Sequence, residues 1–221
     1  MANDLEKTWV WEEAGDYDAW TAAERYIYYE RYNDLLDLAV VRCQVARGDR
    51  VLDIGTGTGE LARRFAQNRD CRVAGLDPSA GMIAEASRKA LQAGWGDVRF
   101  QVSPAPFLDI PFPDGSFDAV GSTQAFHHLH ERHKPAALRE MARVLRSSDP
   151  NRGRPGGRLA LGDVMFQNQA HLQAALARWS GELEEEYFAC LEILGPMFAA
   201  AGLTFHAEQI SRINWVVWGS K

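Results

Sequence analysis

The segment Val51-Leu-Asp-Ile-Gly-Thr-Gly-Thr-Gly59 restricts the possible folds of this chain more than any other. An apolar run leads into three glycines at alternate positions, Gly55, Gly57 and Gly59, and a carboxylate, Asp53, stands two residues before the first. Glycine lacks a Cβ, so the backbone can turn sharply there and a ligand can approach it at contact distance. The apolar spacing from Leu61 to Phe65 predicts a helix that begins at the loop. Strand, glycine turn and helix form the start of a βαβ unit with a nucleotide-type pocket at the turn.

Neighbouring residues narrow the ligand. A dinucleotide fingerprint reads Gly-x-Gly-x-x-Gly and seats a pyrophosphate on the helix N-terminus. Here the third glycine position holds Glu60. With Asp53 ahead of the turn, two carboxylates would face a dianionic group, which is poor electrostatics for NAD. S-adenosylmethionine has no phosphate and carries an ammonium and a sulfonium beside one carboxylate, so acidic groups near the loop would attract it, directly or through water. A P-loop is excluded, because no Gly-Lys-Ser/Thr follows. A second apolar run, Arg72-Val-Ala-Gly-Leu76, ends in Asp77-Pro78. An acid at the end of the second strand, about 20 residues past the glycines, is where a βαβ unit bonds a ribose hydroxyl pair, and one carboxylate accepts from both hydroxyls. The competing reading is that Asp77 caps a helix starting near Ser79.

Strand signals recur at Arg50 to Ile54, Arg72 to Leu76, Val98 to Val102, Phe117 to Ser122 and Arg158 to Asp163, with helical segments between them. This alternation predicts an α/β fold with a parallel sheet covered on both faces, whose ligands bind beyond the carboxyl ends of the strands. Apolar and aromatic residues at helical spacing from Asp18 to Val45 predict one or two helices before the first strand. The division expected is an N-terminal helical extension, residues 1–45, on a domain spanning 46–221. After Met165 the pattern gives helices near Gln169 to Ser180 and Leu183 to Ala201. Two closing strands follow, Thr204 to Ile210 and Ile213 to Trp218, antiparallel because only a short turn joins them. Ser147 to Gly157 reads as a solvated loop.

At 221 residues the chain can bury a sizeable core. Its net charge of -6 argues against a broad nucleic-acid footprint, so a small-molecule partner is expected. Cys43, Cys71 and Cys190 form no CxxC pair and are odd in number, which suits buried fillers in a reducing compartment. A polar, acidic N-terminus and the lack of any long apolar run predict a cytoplasmic protein with no membrane span.

In their order and spacing, VLDIGTGTGELA, AGLDPSAGMIAEA, IPFPDGSFDAVGSTQAFHHL and LREMARVLR with GGRLALGD resemble the class I S-adenosylmethionine-dependent methyltransferases over nearly the full chain. QAFHHLHERHK, LALGDVMFQNQ and EEYFACLEILGPMFAAAGL with INWVVWGSK resemble, more narrowly, the YrrT-type small methyltransferases of Gram-positive bacteria. The resemblance implies a Rossmann-like seven-stranded sheet, mostly parallel, with an antiparallel last strand, helices on both faces and an N-terminal helical lid. It implies that Gly55, Thr56, Gly57 and Gly59 pass beneath the methionine part of the cofactor, headed by Asp53. It also implies that Asp77 takes the ribose, that Pro78 and Met82 flank the adenine, and that Thr123-Gln124-Ala125 lines the cofactor with backbone groups. Relatives commonly place Gly-Asp-Ala after strand three, where this chain reads Ser103-Pro104-Ala105-Pro106. The adenine contact then falls to backbone groups near Ser103 to Phe107, Ala105 among them, or to Asp109.

The implied reaction is methyl transfer by in-line displacement. Because the cofactor brings its own leaving group, the protein must mostly align and desolvate, and alignment alone can remove about 7 to 11 kcal/mol of barrier. Aromatic faces suit a site where positive charge disperses, and the N-terminal segment carries Trp9, Trp11, Tyr17, Trp20, Tyr26, Tyr28 and Tyr29. Tyr17 and Trp20 are read as lid residues over the cofactor, whereas the spacing of Tyr26, Tyr28 and Tyr29 suits a packed helix face. His127 and His128 follow the fourth strand and are candidate bases for a protonated acceptor. Local hydrogen bonding is the competing role. His127, His128, His130 and His133 lack zinc-ligand spacing. The acidic run from Glu182 to Glu186 reads as a helix start facing water, and Tyr187 and Asp163 as acceptor-pocket residues. Two other functions are compatible with parts of this pattern, a non-catalytic S-adenosylmethionine sensor and, against the electrostatics of Glu60 and Asp53, an NAD-dependent oxidoreductase.

Overall fold

Two helices, α1 (Ala14–Ala22) and α2 (Tyr32–Cys43), precede strand β1 (Arg50–Ile54), with a three-residue 3-10 turn at Ile27–Tyr29 between them. The glycine turn leads into α3 (Glu60–Arg69), β2 (Arg72–Asp77), α4 (Ala80–Ala93) and β3 (Val98–Val102). The chain continues through β4 (Ala119–Thr123), α5 (Lys134–Val144), β5 (Arg158–Phe166), α6 (Gln169–Arg178), β6 (Ala189–Cys190), α7 (Leu191–Ala200), β7 (His206–Gln209) and β8 (Asn214–Ser220). The computed structural model describes residues 14–23, 26–153, 155–183 and 186–221.

The main path of the sheet runs β3-β2-β1-β4-β5-β8-β7, and the two-residue β6 pairs with the end of β5. Strands β1 to β5 are parallel, and β8 runs antiparallel to both β5 and β7. The expected seven-stranded sheet with an antiparallel last strand is therefore present. Its central strands are apolar on both sides, as a doubly covered parallel sheet requires. Val51, Val73, Ala119 and Ala160 pack on one face with Leu35, Leu36 and Ala39 of α2 and Leu61 and Phe65 of α3. Leu52, Ile54, Val120, Leu159 and Leu161 pack on the other with Leu138 and Met141 of α5 and Leu194 and Phe198 of α7. Side chains alternate between faces along a strand, so adjacent residues such as Val51 and Leu52 serve different cores.

The order of the strands creates the crevice. From β1 the chain builds outward to β2 and β3, then crosses back to place β4 on the other side of β1. The carboxyl ends of β1 and β4 thus diverge at the switch point, where open α/β sheets bind ligands. Local caps fix the helices around it. The Ser79 hydroxyl accepts the Met82 N–H at 3.2 Å and starts α4, and Gly94 ends α4 in a left-handed turn at φ 62°.

Two expectations are corrected. The helix expected from Leu183 starts only at Leu191, because Phe188 is drawn into a ring cluster with Tyr28, His127 and Phe166 and Ala189–Cys190 pairs with β5. The acidic run is accordingly not a helix start: Glu182 is exposed, but the Glu186 side chain is only 4% exposed and faces His128. Trp9, Trp11, Glu184 and Glu185 lie outside the described residues. All three cysteines are buried, as expected of fillers, and no described helix is long and apolar enough to cross a membrane.

Candidate cofactor and acceptor site

The glycine loop is held from below by two carboxylates. Asp53 is 1% exposed, and its Oδ2 accepts the Thr56 hydroxyl at 2.7 Å and the Ala62 N–H at 3.1 Å. Its Oδ1 has no partner among the described residues, so a buried acceptor is left for a donor from outside. Burial pushes the Asp53 carboxyl up to about 7, against the pull of the Thr56 and Ala62 bonds and with a further push from Asp77. Asp77 Oδ2 accepts the Gly57 N–H at 2.9 Å and its Oδ1 accepts the Ser79 N–H at 2.9 Å. Burial raises this carboxyl too, opposed by those two N–H groups. Since the Ser79 hydroxyl is the helix cap, Asp77 instead joins the loop to the end of β2.

Gly55 shows why this loop needs glycine. Its φ is +69°, and a Cβ there would stand 2.3 Å from the Cβ of Ala125 in the segment after β4. The two loops at the switch point touch through that missing side chain. Gly57, at φ +53°, has nothing within 4 Å of a would-be Cβ, and Gly59 caps α3.

Glu60 departs from the expectation that it would face the ligand. Its carboxylate bonds Arg63 at 2.9 Å, Arg64 at 3.1 Å and Lys89 at 3.1 Å, so its charge is neutralised within the protein. Burial would raise its pKa, but these cations hold it below the usual range. Lys89 also bonds Asp18 of α1 at 2.8 Å, and Asp18 accepts the Thr58 hydroxyl of the glycine loop. These bonds anchor α1 over the loop. Tyr17, one residue earlier, lies edge-on to Tyr29 at 5.9 Å and is hydrogen-bonded to Tyr29 and Tyr32. Burial above all, then the two phenols and the Asp77 carboxylate, keep its hydroxyl protonated. Trp20 meets Tyr26 edge-on at 6.2 Å. Tyr28 and Tyr29 are half-buried packing residues, whereas Tyr26 is exposed.

On the β4 side, Gln124 takes a left-handed φ of +50° and its N–H donates to Gly162 O at 2.8 Å. Its side-chain Nε2 donates to Tyr28 O and to Asn214 Oδ1, each at 2.8 Å, while its buried Oε1 has no partner among the described residues. Met82 is buried and Pro78 half-buried beside it, and the Ser103 N–H donates to Asp77 O at 2.9 Å. Ala105 is half-buried, its carbonyl accepting the Leu108 and Asp109 N–H groups at 3.0 Å, and Asp109 is exposed.

Beyond the carboxyl end of β4, and against β5, a second polar group is buried. His127 is 6% and Asp163 2% exposed. His127 Nδ1 lies 2.5 Å from Asp163 Oδ1, and the His127 N–H donates to Oδ2 at 3.0 Å. A carboxylate only accepts, so Nδ1 carries the proton and Nε2 keeps the lone pair. Burial would raise the Asp163 carboxyl, but His127, Lys134 and the Val164 N–H bring it below its ordinary value. The His128 ring lies 4.1 Å from that of His127, and burial, followed by the neighbouring His127 ring, lowers its pKa. Lys134, 2% exposed, donates to Phe126 O at 2.7 Å and is pushed down to about 8 by burial. Lys134 and Asn214 were not singled out from the sequence: Lys134 follows the polar run His130-Glu-Arg-His133 and reads as solvated, and the Gln124 partner of Asn214 lies 90 residues away. The four histidines hold no metal cluster among the described residues.

The residues of the crevice fit S-adenosylmethionine. A buried unpaired carboxylate oxygen suits a cationic ligand, and the acid at the end of β2 has lone pairs to spare for a diol. Residues 51–148 match the family described as a methyltransferase domain. An uncharacterized methyltransferase of Bacillus pumilus is 31% identical over 201 residues, 87% of this chain and 85% of that protein. The uncharacterized methyltransferase YrrT of Bacillus subtilis is 29% identical over 197 residues, 86% of this chain and 84% of that protein. Among solved structures, YcgJ of Bacillus subtilis superposes with a TM-score of 0.64 at 28% identity, over 80% of this chain and 71% of its own. With this fold, this crevice and these relatives, the chain belongs to the class I S-adenosylmethionine-dependent methyltransferases.

Proposed function

We propose that this methyltransferase acts on a small-molecule acceptor whose attacking atom carries a proton, with His127 as the base that removes it. The observation behind this reading is the buried His127–Asp163 pair beyond the carboxyl end of β4 and against β5. When bound, the cofactor supplies an electrophilic methyl group on a sulfonium. Asp77 and the glycine loop would hold it, and Asp53 Oδ1 would take its ammonium. Asp163 accepts the His127 Nδ1–H and so orients the ring, and Nε2 can accept a proton as the acceptor's O–H, N–H or S–H attacks. Methyl, proton and leaving thioether balance: the acceptor gains the methyl, His127 gains the proton, and the sulfur keeps the bonding pair. Lid and loops contribute alignment and exclusion of water, which account for most of the rate. The net charge of -6 supports a small acceptor over a nucleic acid.

The test is transfer of labelled methyl groups into a size-fractionated metabolite extract. Label is expected in the small-molecule fraction, and label confined to protein or nucleic acid would sink the assignment. On the acceptor so found, His127→Ala should lower kcat by about 100-fold or more with little change in cofactor affinity. An unchanged kcat across pH 6 to 9 would remove the base role.

A further inference from the structure

A cleft of about 310 Å³ lies between α6 and the β7–β8 hairpin, apart from the residues of the cofactor and acceptor site. Its walls include Phe166, His171, Arg178, Trp179, Arg212 and Trp215. That size falls at the lower end of small-molecule sites, which run from about 300 to 1,000 Å³. Arg178 places its guanidinium 5.1 Å from the centre of the Trp179 indole, and Arg212 places its own 5.7 Å from the same ring. Two cations thus line one cleft and share one ring. Arg212 bonds Glu30 at 3.0 Å, but among the described residues Arg178 has no carboxylate partner. One acid thus answers two guanidiniums, in a chain that is acidic overall. Both arginines are exposed and Trp179 is half-buried, so the cluster is open to solvent.

An oxyanion entering the cleft would meet two cationic side chains of its lining and accept paired N–H bonds from either guanidinium fork. A ring attached to that oxyanion would reach the indole faces of Trp179 and Trp215. We propose that this cleft is a second binding site, for a small planar molecule bearing a carboxylate or phosphate group. The volume suits one ring with its charged group, and is too short for an extended peptide.

The test titrates the full chain with phenyl phosphate, benzoate, phenol and inorganic phosphate, followed by tryptophan fluorescence. Saturable binding of phenyl phosphate or benzoate at least tenfold tighter than of phenol or inorganic phosphate is expected, and the tighter of the two identifies the anionic group. Arg178→Ala, at an exposed position without a carboxylate partner among the described residues, should weaken that binding tenfold or more, and the double variant with Arg212→Ala further. Phenol binding as tightly as the anions would overturn the proposal, as would unchanged affinity in Arg178→Ala. So would displacement of the anion by saturating S-adenosylmethionine, because it would put the anion in the cofactor crevice.

Discussion

At the residue scale, Asp53 is asked to be both a structural acceptor and a charge. Its Oδ2 holds Thr56 and the start of α3, yet its burial disfavours the ionised form that would attract a cationic ligand. A carboxyl whose folded pKa is raised stabilises the fold fully below its unfolded pKa and loses that contribution as pH rises through the folded value. For Asp53 the window runs from about 4, the ordinary carboxylate range, up to about 7. Roughly three units at 1.36 kcal/mol each set an upper bound of about 4 kcal/mol on the effect. Without cofactor, the melting temperature of the wild type should therefore fall relative to that of Asp53→Asn between pH 4 and 7. Parallel curves for the two proteins would show that the carboxyl titrates normally.

At the scale of elements, α1 has no strongly apolar face of its own and is held by polar contacts. Lys89 joins Asp18 to Glu60, and Thr58 bonds Asp18 directly from the glycine loop. Partly exposed ion pairs of this kind are each worth about 1 kcal/mol or less, so the helix can open without unfolding the sheet. Removing residues 1–23 is expected to leave a folded protein, with circular dichroism unchanged apart from one helix, and to lower turnover tenfold or more. Full activity of the shortened chain would refute a lid over the cofactor. The region around residues 183–190 shows how an element can be misread. Its sequence resembles a helix start, but Phe188 and Glu186 are claimed by His127 and His128 from a distant part of the chain, and tertiary contact overrides local propensity.

At the scale of the whole molecule, the crevice exists because β1 has β2 on one side and β4 on the other, so the ligand joins parts of the sheet that the chain visits at different times. A ligand that binds only the folded state raises its stability by RT ln(1 + [L]/Kd), about 2.7 kcal/mol at 100 times Kd. S-adenosylmethionine at that excess should raise the melting temperature by roughly 5 to 11 °C for a chain of this size, at about 2 to 4 °C per kcal/mol, while NAD should leave it unchanged. A shift with NAD and none with S-adenosylmethionine would contradict the electrostatic reading of the loop. That reading itself needed the structure. Asp53, the three glycines and Asp77 were legible in the sequence because each acts within a strand and the turn after it, where spacing alone sets position. The charge state of Glu60 was not, because Lys89 reaches it from another helix while also bonding Asp18 of α1. Nor was the pairing of His127 with Asp163, whose strands become neighbours only once the sheet forms. The sequence by itself determined the βαβ order, both cores and the cofactor loop, since periodicity and turn chemistry are local. Only the tertiary structure decided which buried acids are neutralised, which histidine is oriented and which arginines share a ring, since charges interact through space across segments far apart in the chain.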